Sequence, residues 1–294
     1  MKKLLLMSLL LASGVAAAEP LKEGVLTNVR PLTGDAVKYE NPRWSPDGTK
    51  IAFTNYGYNN LYVMDASGAN KHMVSNADGV GFGYEWSGDS RQILATDLRY
   101  EVKPGRRVRR QALWAYSLDG TSTRMTDDVT RMTQELRLSS TKYKGMRSRA
   151  KAQTVTFSCE PEGLFVINAA GVKTLINKGA SFCPALSPDG KKVAFAHRND
   201  ICVMNIDGTG KKVIARGFNP VWANNSQIVF EQSTDDGHTY TSSELYIANI
   251  DGTGLKALTA TADRMEMCPS ISPDGTKIVF TSFTDGQIYT ADFK

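Results

Sequence analysis

One phrase occurs three times in this chain and limits what the chain can fold into. The sequence from Pro42 to Phe53 recurs with few changes from Pro184 to Phe195 and from Pro269 to Phe280. Each copy places Ser-Pro-Asp-Gly between a short apolar run and an alternating one, which is typical of a β-hairpin. Proline presets φ at the turn, aspartate caps the turn through its side chain, and glycine supplies the positive φ. The chain is therefore predicted to repeat one small antiparallel unit.

An alignment on the apolar residue that ends the first strand of the phrase indicates six imperfect units. Those residues are Trp44, Trp86, Leu138, Leu186, Trp222 and Ile271. Each unit adds an alternating second strand, a third strand after a variable loop, and in most units a fourth after another turn, and such alternation favours strands over helices. Four short strands repeated about every 40 residues are typical of a propeller blade. The sequence predicts an all-β fold, a six-bladed β-propeller of four-stranded antiparallel blades.

The sixth unit lacks a fourth strand, and the start of the chain supplies a candidate. Residues 28–33 resemble residues 254–259 of the fifth unit, so the N-terminal strand is predicted to complete the last blade and close the ring. Pro31 is compatible with an outermost strand, because one side of that strand needs no hydrogen bonds. The predicted propeller covers 19–294. Its blades are placed approximately at 39–76, 80–127, 131–177, 180–215, 217–260 and 265–294, with 26–33 added to the last.

Residues 1–18 are predicted to be a secretory signal peptide. Lys2 and Lys3 precede an apolar run from Leu4 to Leu11, and the alanines at 16–18 form a cleavage site, with cleavage expected after Ala18. No later stretch approaches the length of a membrane span. The mature chain is therefore expected to be exported and to have no membrane span.

Four cysteines lie in the predicted exported domain: Cys159, Cys183, Cys202 and Cys268. An even set in an oxidising compartment is consistent with disulfides, and four cysteines allow three connectivities. The alternative is that some of them are small buried hydrophobic residues. The sequence leaves both alternatives open.

The repeat also predicts which face of the ring carries function. The Ser-Pro-Asp-Gly turns belong to one face (the turn face), and the variable loops between second and third strands belong to the other (the loop face), where function on a rigid scaffold usually resides. One residue per unit should begin the innermost strand at the channel mouth on the loop face. These residues are Asn41, Gly83, Glu135, Cys183, Asn219 and Cys268. The polar Asn41, Glu135 and Asn219 are candidate ligand contacts; alternatively, they hydrogen-bond neighbouring blades.

A dense basic stretch lies in the second unit. The segment from Tyr100 to Arg110 is predicted to be a long loop on the loop face, and it contains Arg106, Arg107, Arg109 and Arg110. Arginine suits anionic groups on proteins, lipid headgroups or polysaccharide, so this loop is a candidate partner-binding segment. The alternative is a solvated loop. Nucleic acid is not expected, because no aromatic residues are interleaved with these arginines.

The sequence offers few signals for catalysis. The Ser-Pro-Asp-Gly copies are explained by their turn roles, no Gly-x-Ser-x-Gly elbow is present, and adjacent aspartates at 127–128 and 235–236 are typical of solvated loops. His197 and His238 belong to the loop face of adjacent blades and are the candidate metal ligands, although two distant histidines form no ligand motif. No catalytic residue, cofactor or metal is therefore predicted.

The repeats resemble those of a known family. Pro-x-Trp-Ser-Pro-Asp-Gly-x-Lys-Ile-Ala-Phe, then Leu-Tyr-Val-Met-Asp, then Leu-Thr, is similar to the WD40-like (PD40) repeat of TolB-like periplasmic propellers, over about 26–294. The resemblance implies an exported, non-catalytic protein-interaction module of the cell envelope, linked to the Tol–Pal system. Its candidate partner is a peptidoglycan-associated lipoprotein such as Pal, and the protein is expected to be a monomer.

The resemblance is to the propeller half of that family. TolB-like proteins carry an α/β domain before the propeller and an N-terminal segment that engages TolA, whereas residues 19–39 alone precede the first blade here. Contact with TolA is therefore not expected, and the shared motif, being structural, carries over no functional residue. Two alternatives stay open because propellers host many functions: a carbohydrate-active enzyme similar to oligouronide lyases, and a propeller that binds small ligands or glycans.

Overall fold

The computed structural model describes residues 26–81, 83–125, 135–137, 156–168 and 172–293. The predicted signal peptide and its cleavage site lie outside the described residues. All regular structure in these ranges is β, in six four-stranded antiparallel sheets. Within the same ranges, no helix has the length and hydrophobicity needed to cross a membrane.

Each sheet is one blade of a propeller. Blade 1 contains β2 (Tyr39–Trp44), β3 (Lys50–Asn55), β4 (Asn59–Asp65) and β5 (His72–Ser75). Blade 2 contains β6 (Glu85–Trp86), β7 (Gln92–Lys103), β8 (Arg106–Ser117) and β9 (Ser122–Arg124). Blade 3 contains β10 (Glu135–Arg137), β11 (Thr156–Glu160), β12 (Gly163–Ile167) and β13 (Lys173–Lys178).

The remaining blades have the same order of strands. Blade 4 contains β14 (Ser181–Leu186), β15 (Lys192–His197), β16 (Asp200–Asn205) and β17 (Lys212–Arg216). Blade 5 contains β18 (Phe218–Asn224), β19 (Gln227–Asp235), β20 (Tyr240–Asn249) and β21 (Lys256–Ala257). Blade 6 contains β22 (Glu266–Ile271), β23 (Lys277–Ser282), β24 (Gln287–Asp292) and, from the start of the chain, β1 (Thr27–Pro31).

The ring is closed by the N-terminal strand, which confirms the prediction. Strand β1 pairs antiparallel with β24, so that Thr27 lies opposite Asp292 and Pro31 opposite Tyr289. The pairing continues past the strand, because the Leu32 amide donates to the Ile288 carbonyl over 2.7 Å. Pro31 is on the outermost strand, where its missing N–H is tolerated.

The core lies between neighbouring blades. The second strands carry equivalent phenylalanines, Phe53, Phe195, Phe230 and Phe280, and none has exposed side-chain surface. The apolar clusters join residues of adjacent blades, for example Phe53 of blade 1 with Val279 of blade 6. Burial of one such ring contributes about 1.5–3 kcal/mol, so the closed ring is stabilised by repeated interfaces of one kind.

The repeated turn has the same hydrogen bonds in each copy. In the first, the Ser45 hydroxyl donates to Asp47 Oδ1 over 2.6 Å, Asp47 Oδ1 accepts from the Thr49 amide over 3.0 Å, and Gly48 has a φ of +73°. Blade 2 forms this turn from Ser-Gly-Asp-Ser, with Ser90 at a φ of +62° in place of the glycine. The side-chain network therefore defines the turn even where the proline and final glycine are absent.

The structure corrects one sequence prediction in blade 2. The segment from Tyr100 to Arg110 is not a long loop, since β7 and β8 pair without a break to Lys103 opposite Arg106. The chain reverses at Pro104-Gly105, where Gly105 has a φ of +76°. Ladder hydrogen bonds extend this hairpin, because an antiparallel pair satisfies its backbone groups between its own two strands. The hairpin projects from the loop face and carries Arg106, Arg107, Arg109 and Arg110, whose side chains lie outside the described residues.

Candidate functional site

The inner strands surround a central channel of about 480 Å³. Its walls contain the strand-ending residues of five blades: Trp44, Trp86, Leu186, Trp222 and Ile271. Two of the indoles also join blades, because Trp86 Nε1 donates to the Arg43 carbonyl over 3.1 Å and Trp222 Nε1 to the Ala185 carbonyl over 2.8 Å. Arg43 forms an ion pair with Glu85 in the channel wall. The described part of the channel wall is thus lined by apolar residues of five blades and joined by hydrogen bonds between blades.

The predicted mouth residues lie within two residues of the start of each inner strand, and five of them share an unusual backbone conformation. In blades 1, 2, 4, 5 and 6 these residues have φ values of 50–88°. They are Asn41, Gly83, Cys183, Asn219 and Cys268. Asparagine and glycine accept this left-handed region, whereas it costs most other residues about 1–2 kcal/mol. The structure therefore holds two cysteines in a strained backbone at the mouth. Glu135 begins β10, and its side chain lies outside the described residues.

Asn219 is the centre of a hydrogen-bond network between blades 4, 5 and 6. The Cys183 thiol donates to Asn219 Oδ1 over 2.8 Å, and Asn219 Nδ2 donates to Glu231 Oε1 over 3.0 Å. The Cys268 amide donates to Glu231 Oε2, the other oxygen of that carboxyl. Asn41 contributes its carbonyl, which accepts from the hydroxyl of Tyr84. Asn41 and Asn219 therefore hydrogen-bond neighbouring blades, which is the second of the two interpretations that the sequence allowed.

Glu231 is the functional candidate that the sequence prediction missed. It lies on β19 just below the mouth and is only 6% exposed. Burial raises its pKa to about 7, although the hydrogen bonds from Cys268 and Asn219 act in the opposite direction. A signal was present in the repeat, because the residue after each core phenylalanine is Thr54, Ala196 or Thr281 in other blades. An acid stands here where the other blades have a small residue.

A second carboxyl borders the mouth from blade 1. Glu40 Oε1 accepts from the Tyr58 amide over 2.8 Å, and burial raises the pKa of Glu40. Burial also raises the pKa of Tyr58, and the nearby Cys268 and Glu40 add to that effect. Both Glu40 of blade 1 and Glu231 of blade 5 act electrostatically on Cys268 of blade 6.

Three aromatic residues from three different blades meet beside this mouth, and we call them the aromatic ledge: Tyr56, Tyr240 and Phe283. The rings of Tyr240 and Phe283 are 5.6 Å apart at 84°, and those of Tyr56 and Phe283 are 6.1 Å apart at 59°. Tyr56 is 59% exposed and Tyr240 46%. Because they come from three blades, no pattern within one repeat predicts the ledge.

The two histidines predicted as candidate metal ligands have separate surroundings. His197 Nδ1 lies 3.0 Å from the Ala180 carbonyl and 3.2 Å from Asn177 Nδ2, and burial followed by the charge of Lys211 lowers its pKa. His238 is exposed near the end of the blade 5 hairpin, where its amide donates to Asp236. Among the residues that the structure describes, no group of three or more His, Cys, Asp or Glu is placed to hold a metal.

The four cysteines occupy two separate places in the ring. Cys159 and Cys202 are buried in one apolar cluster between blades 3 and 4. This is the environment expected of cysteines that act as small buried hydrophobic residues. Cys183 and Cys268 are half-buried at the mouth, where Asn219 lies between their sulfur atoms. The four residues therefore form two groups with different surroundings.

Comparison with protein families and curated sequences places the chain near TolB homologues. No family model matches the chain. It is 26% identical over 152 residues to a TolB homologue of Chlorobium luteolum, which covers 44% of this chain and 34% of the relative. It is 28% identical over 169 residues to a TolB homologue of Chlorobium chlorochromatii, which covers 56% of this chain and 34% of the relative. The chain thus spans about a third of the length of these relatives.

Solved structures share the fold at low sequence identity. A putative TolB from Agrobacterium tumefaciens superposes with a TM-score of 0.56 at 18% identity, covering 90% of this chain and 94% of the other. A gluconolactonase from Xanthomonas campestris gives 0.61 at 10% identity over 90% and 89%, and an oligogalacturonate lyase from Vibrio parahaemolyticus gives 0.50 at 14% over 89% and 79%. The protein is a six-bladed β-propeller whose repeats resemble those of TolB homologues.

Proposed function

We propose that this protein is a non-catalytic protein-interaction module of the bacterial cell envelope that works in the periplasm after export. It binds its partner on the loop face, around the channel mouth. The observation that carries this proposal is the exposed aromatic ledge beside the mouth, held on a rigid ring. Exposed aromatic clusters are typical of protein-binding surfaces, because soluble domains otherwise bury such rings.

The resemblance to TolB homologues supports an envelope partner, and Pal of the Tol–Pal system is the first candidate. The monomeric ring presents two different contact regions on its loop face. One is the mouth with its ledge, and the other is the arginine-bearing hairpin of β7 and β8, at the end where Val102 is 77% exposed. Partner binding by Asn41, Glu135 and Asn219 is part of this proposal.

In-cell crosslinking of the tagged full-length chain, followed by mass spectrometry, tests the proposal. We expect it to capture Pal or another envelope protein. The capture should be lost in a Tyr240→Ala/Phe283→Ala variant, or after replacement of Arg106, Arg107, Arg109 and Arg110 by serine. Lys191→Ala, on the turn face, is the matched control and should retain the partner. Capture that is equal in all variants, or absent from the wild type, contradicts the proposal.

A carbohydrate-active enzyme is the second candidate, and Glu231 is the observation that favours it. A buried carboxyl with a pKa of about 7 beside a channel is suited to general acid–base catalysis. The fold is shared with the oligogalacturonate lyase and the gluconolactonase, at identities that show the fold alone. Turnover of oligogalacturonate or a sugar lactone that is abolished in Glu231→Gln would support this candidate. Saturable thermal stabilisation by a sugar without turnover would instead indicate a glycan-binding propeller.

A further inference from the structure

We infer that the aromatic ledge and the carboxyls beside it form a receptor for a cationic side chain, arginine or lysine, presented by a peptide segment of the partner. The inference rests on the proposed function, because it names the chemistry of a partner bound at the same mouth. It goes further in predicting which residue of that partner enters the site. The ledge supplies the rings, and Glu40 and Glu231 supply the negative charge when they are ionised, which for Glu231 is above about pH 7.

The three rings of the aromatic ledge are inclined steeply to one another. Phe283 meets Tyr240 edge-to-face at 84° and meets Tyr56 at 59°, so the three π faces do not lie in one plane. Each face has a negative quadrupole, and a cation is attracted when it lies within about 6 Å of the ring centre. A flat sugar ring is best matched by a coplanar platform. Rings that adjoin at steep angles are better suited to a compact charged group.

The acidic neighbours add to the field of the rings. Glu40 is fixed by the Tyr58 amide, and Glu231 is fixed by Asn219 and Cys268, so neither carboxyl has to reorganise when a cation arrives. The charges that act on Tyr240 include those of Glu231 and Asp235. An anionic glycan would be repelled by the same carboxyls. Charge complementarity therefore favours a cationic ligand over an oligouronide.

One basic residue borders the ledge and gives the inference a sharp test. The Lys38 carbonyl accepts from the Tyr56 amide over 3.0 Å. The side-chain carbons of Lys38 lie so close to Gly286 that a Cβ there would be 2.5 Å from Lys38 Cγ. Its ammonium should weakly repel a cationic ligand. Removal of this charge by Lys38→Met is expected to tighten binding, whereas most substitutions at a binding surface weaken it.

The direct probe is a fluorescein-labelled peptide Gly-Ser-Gly-Arg-Arg-Gly-Ser-Gly, titrated at pH 8 with the full-length protein and followed by anisotropy. Its partner probe has both arginines replaced by citrulline, which keeps the shape and removes the charge. We expect the arginine peptide to bind with a Kd below about 1 mM and roughly tenfold more tightly than the citrulline peptide. Equal binding of the two peptides, or no binding of the arginine peptide at 1 mM protein, overturns the inference.

Variants place the interaction at the ledge. Phe283→Leu keeps the apolar bulk but removes the π face, and we expect it to weaken arginine-peptide binding about fivefold, by loss of the cation–π attraction. Tyr56→Phe keeps the ring and should bind as the wild type does, while Lys38→Met should bind about twofold more tightly through loss of a repulsive charge. Unchanged binding in Phe283→Leu with an unchanged melting temperature contradicts the inference.

The two proposals fail in different ways. If crosslinking captures an envelope protein that is lost in Tyr240→Ala/Phe283→Ala but does not depend on arginine and lysine residues of that protein, the proposed function holds and the cation receptor is wrong. If the peptides discriminate charge but crosslinking captures nothing, the receptor holds and the interaction module is wrong. Competition between the arginine peptide and the captured partner would support both.

Discussion

The two ends of the inner strands differ in how their polar groups are arranged. At the turn face, one serine–aspartate network is repeated in blades 1, 2, 4 and 6, and the Ser272 hydroxyl lowers the pKa of Asp274 to about 2. At the mouth, five blades hold asparagine, glycine or cysteine in one left-handed backbone position, and burial raises the pKa of Glu231 to about 7. Hydrogen bonds at the turn end favour the ionised form of its aspartates, whereas burial at the mouth end disfavours the ionised form of Glu231.

That difference indicates a division of labour along each blade. Charged hydrogen bonds at the turn end stabilise the ionised aspartates and with them the hairpin. At the mouth, a desolvated acid and two cysteines at positive φ oppose folding, and they persist because the surrounding blades hold them. Residues that lower the stability of the fold, such as Glu231 and the two mouth cysteines, are therefore the ones to examine for function.

The largest expected effect is a fall in stability with rising pH at the mouth end. Because the folded-state pKa of Glu231 is above the unfolded value of 4.5, the folded form keeps its proton between pH 4.5 and 7 while the unfolded form loses it. Stability is therefore fully present below about pH 4.5 and is lost as the pH rises through 7. A shift of this size corresponds to about 3 kcal/mol, to be measured by urea unfolding at pH 5 and pH 8.

Glu231→Gln is the control for this pH effect, because glutamine cannot titrate. The variant loses one hydrogen bond at every pH, so the slope between pH 5 and pH 8 is the quantity to compare. Glu266 of blade 6, whose pKa burial also raises to about 7, will leave a residual slope. A slope that is unchanged in Glu231→Gln would show that the mouth carboxyl is not responsible.

A smaller effect with the opposite pH dependence is expected at the turn end. Asp274→Ala removes the acceptor of bonds from Ser272, at 2.5 Å, and from the Thr276 amide, at 3.0 Å. The cost at pH 7 should be about 1 kcal/mol, because the site is solvent-exposed and its charged hydrogen bonds are screened. Since the folded pKa is about 2, below the unfolded 3.8, this contribution is present above pH 4 and disappears as the pH falls through 2.

Asp263→Ala is the matched control for the turn, since it removes the same charge from an exposed residue outside the repeated network. We expect it to change the free energy of unfolding by less than about 0.5 kcal/mol. If both aspartate variants are equally destabilised in urea titrations, the turn network has no special contribution.

The sequence predicted the turn end well and the mouth end only in part. Ser-Pro-Asp-Gly specifies its hairpin through contacts within five residues. Its three copies mark the repeat, and the alignment of the imperfect units, with the likeness of residues 28–33 to 254–259, indicates six blades and the closing strand. The column from Asn41 to Cys268 was also found, because it keeps a fixed distance from the turn. The aromatic ledge could not be predicted from the sequence, because Tyr56, Tyr240 and Phe283 come from three blades and meet only when the ring closes. The blade 2 hairpin was misjudged because charged residues interrupt the apolar alternation of its sequence between Arg99 and Arg110.

The smallest expected effect tests whether the left-handed backbone of the mouth residues lowers the free energy of unfolding. Cys183 has a φ of +51°, in a column where blades 1 and 5 have asparagine at similar values. Cys183→Asn should therefore raise the free energy of unfolding by about 0.5–1 kcal/mol, because asparagine accepts the left-handed region more readily than cysteine. The new amide can still donate to Asn219 Oδ1, as the thiol does over 2.8 Å.

Cys183→Ala separates relief of strain from the loss of the thiol. Alanine keeps the unfavourable φ and removes the hydrogen bond to Asn219, so this variant should be slightly less stable than the wild type in urea unfolding. If asparagine stabilises and alanine does not, the cysteine lowers stability through its backbone, and its presence at the mouth needs a functional reason. If alanine is as stabilising as asparagine, the backbone is relaxed at this position, and the contrast between the two ends then rests on Glu231 alone.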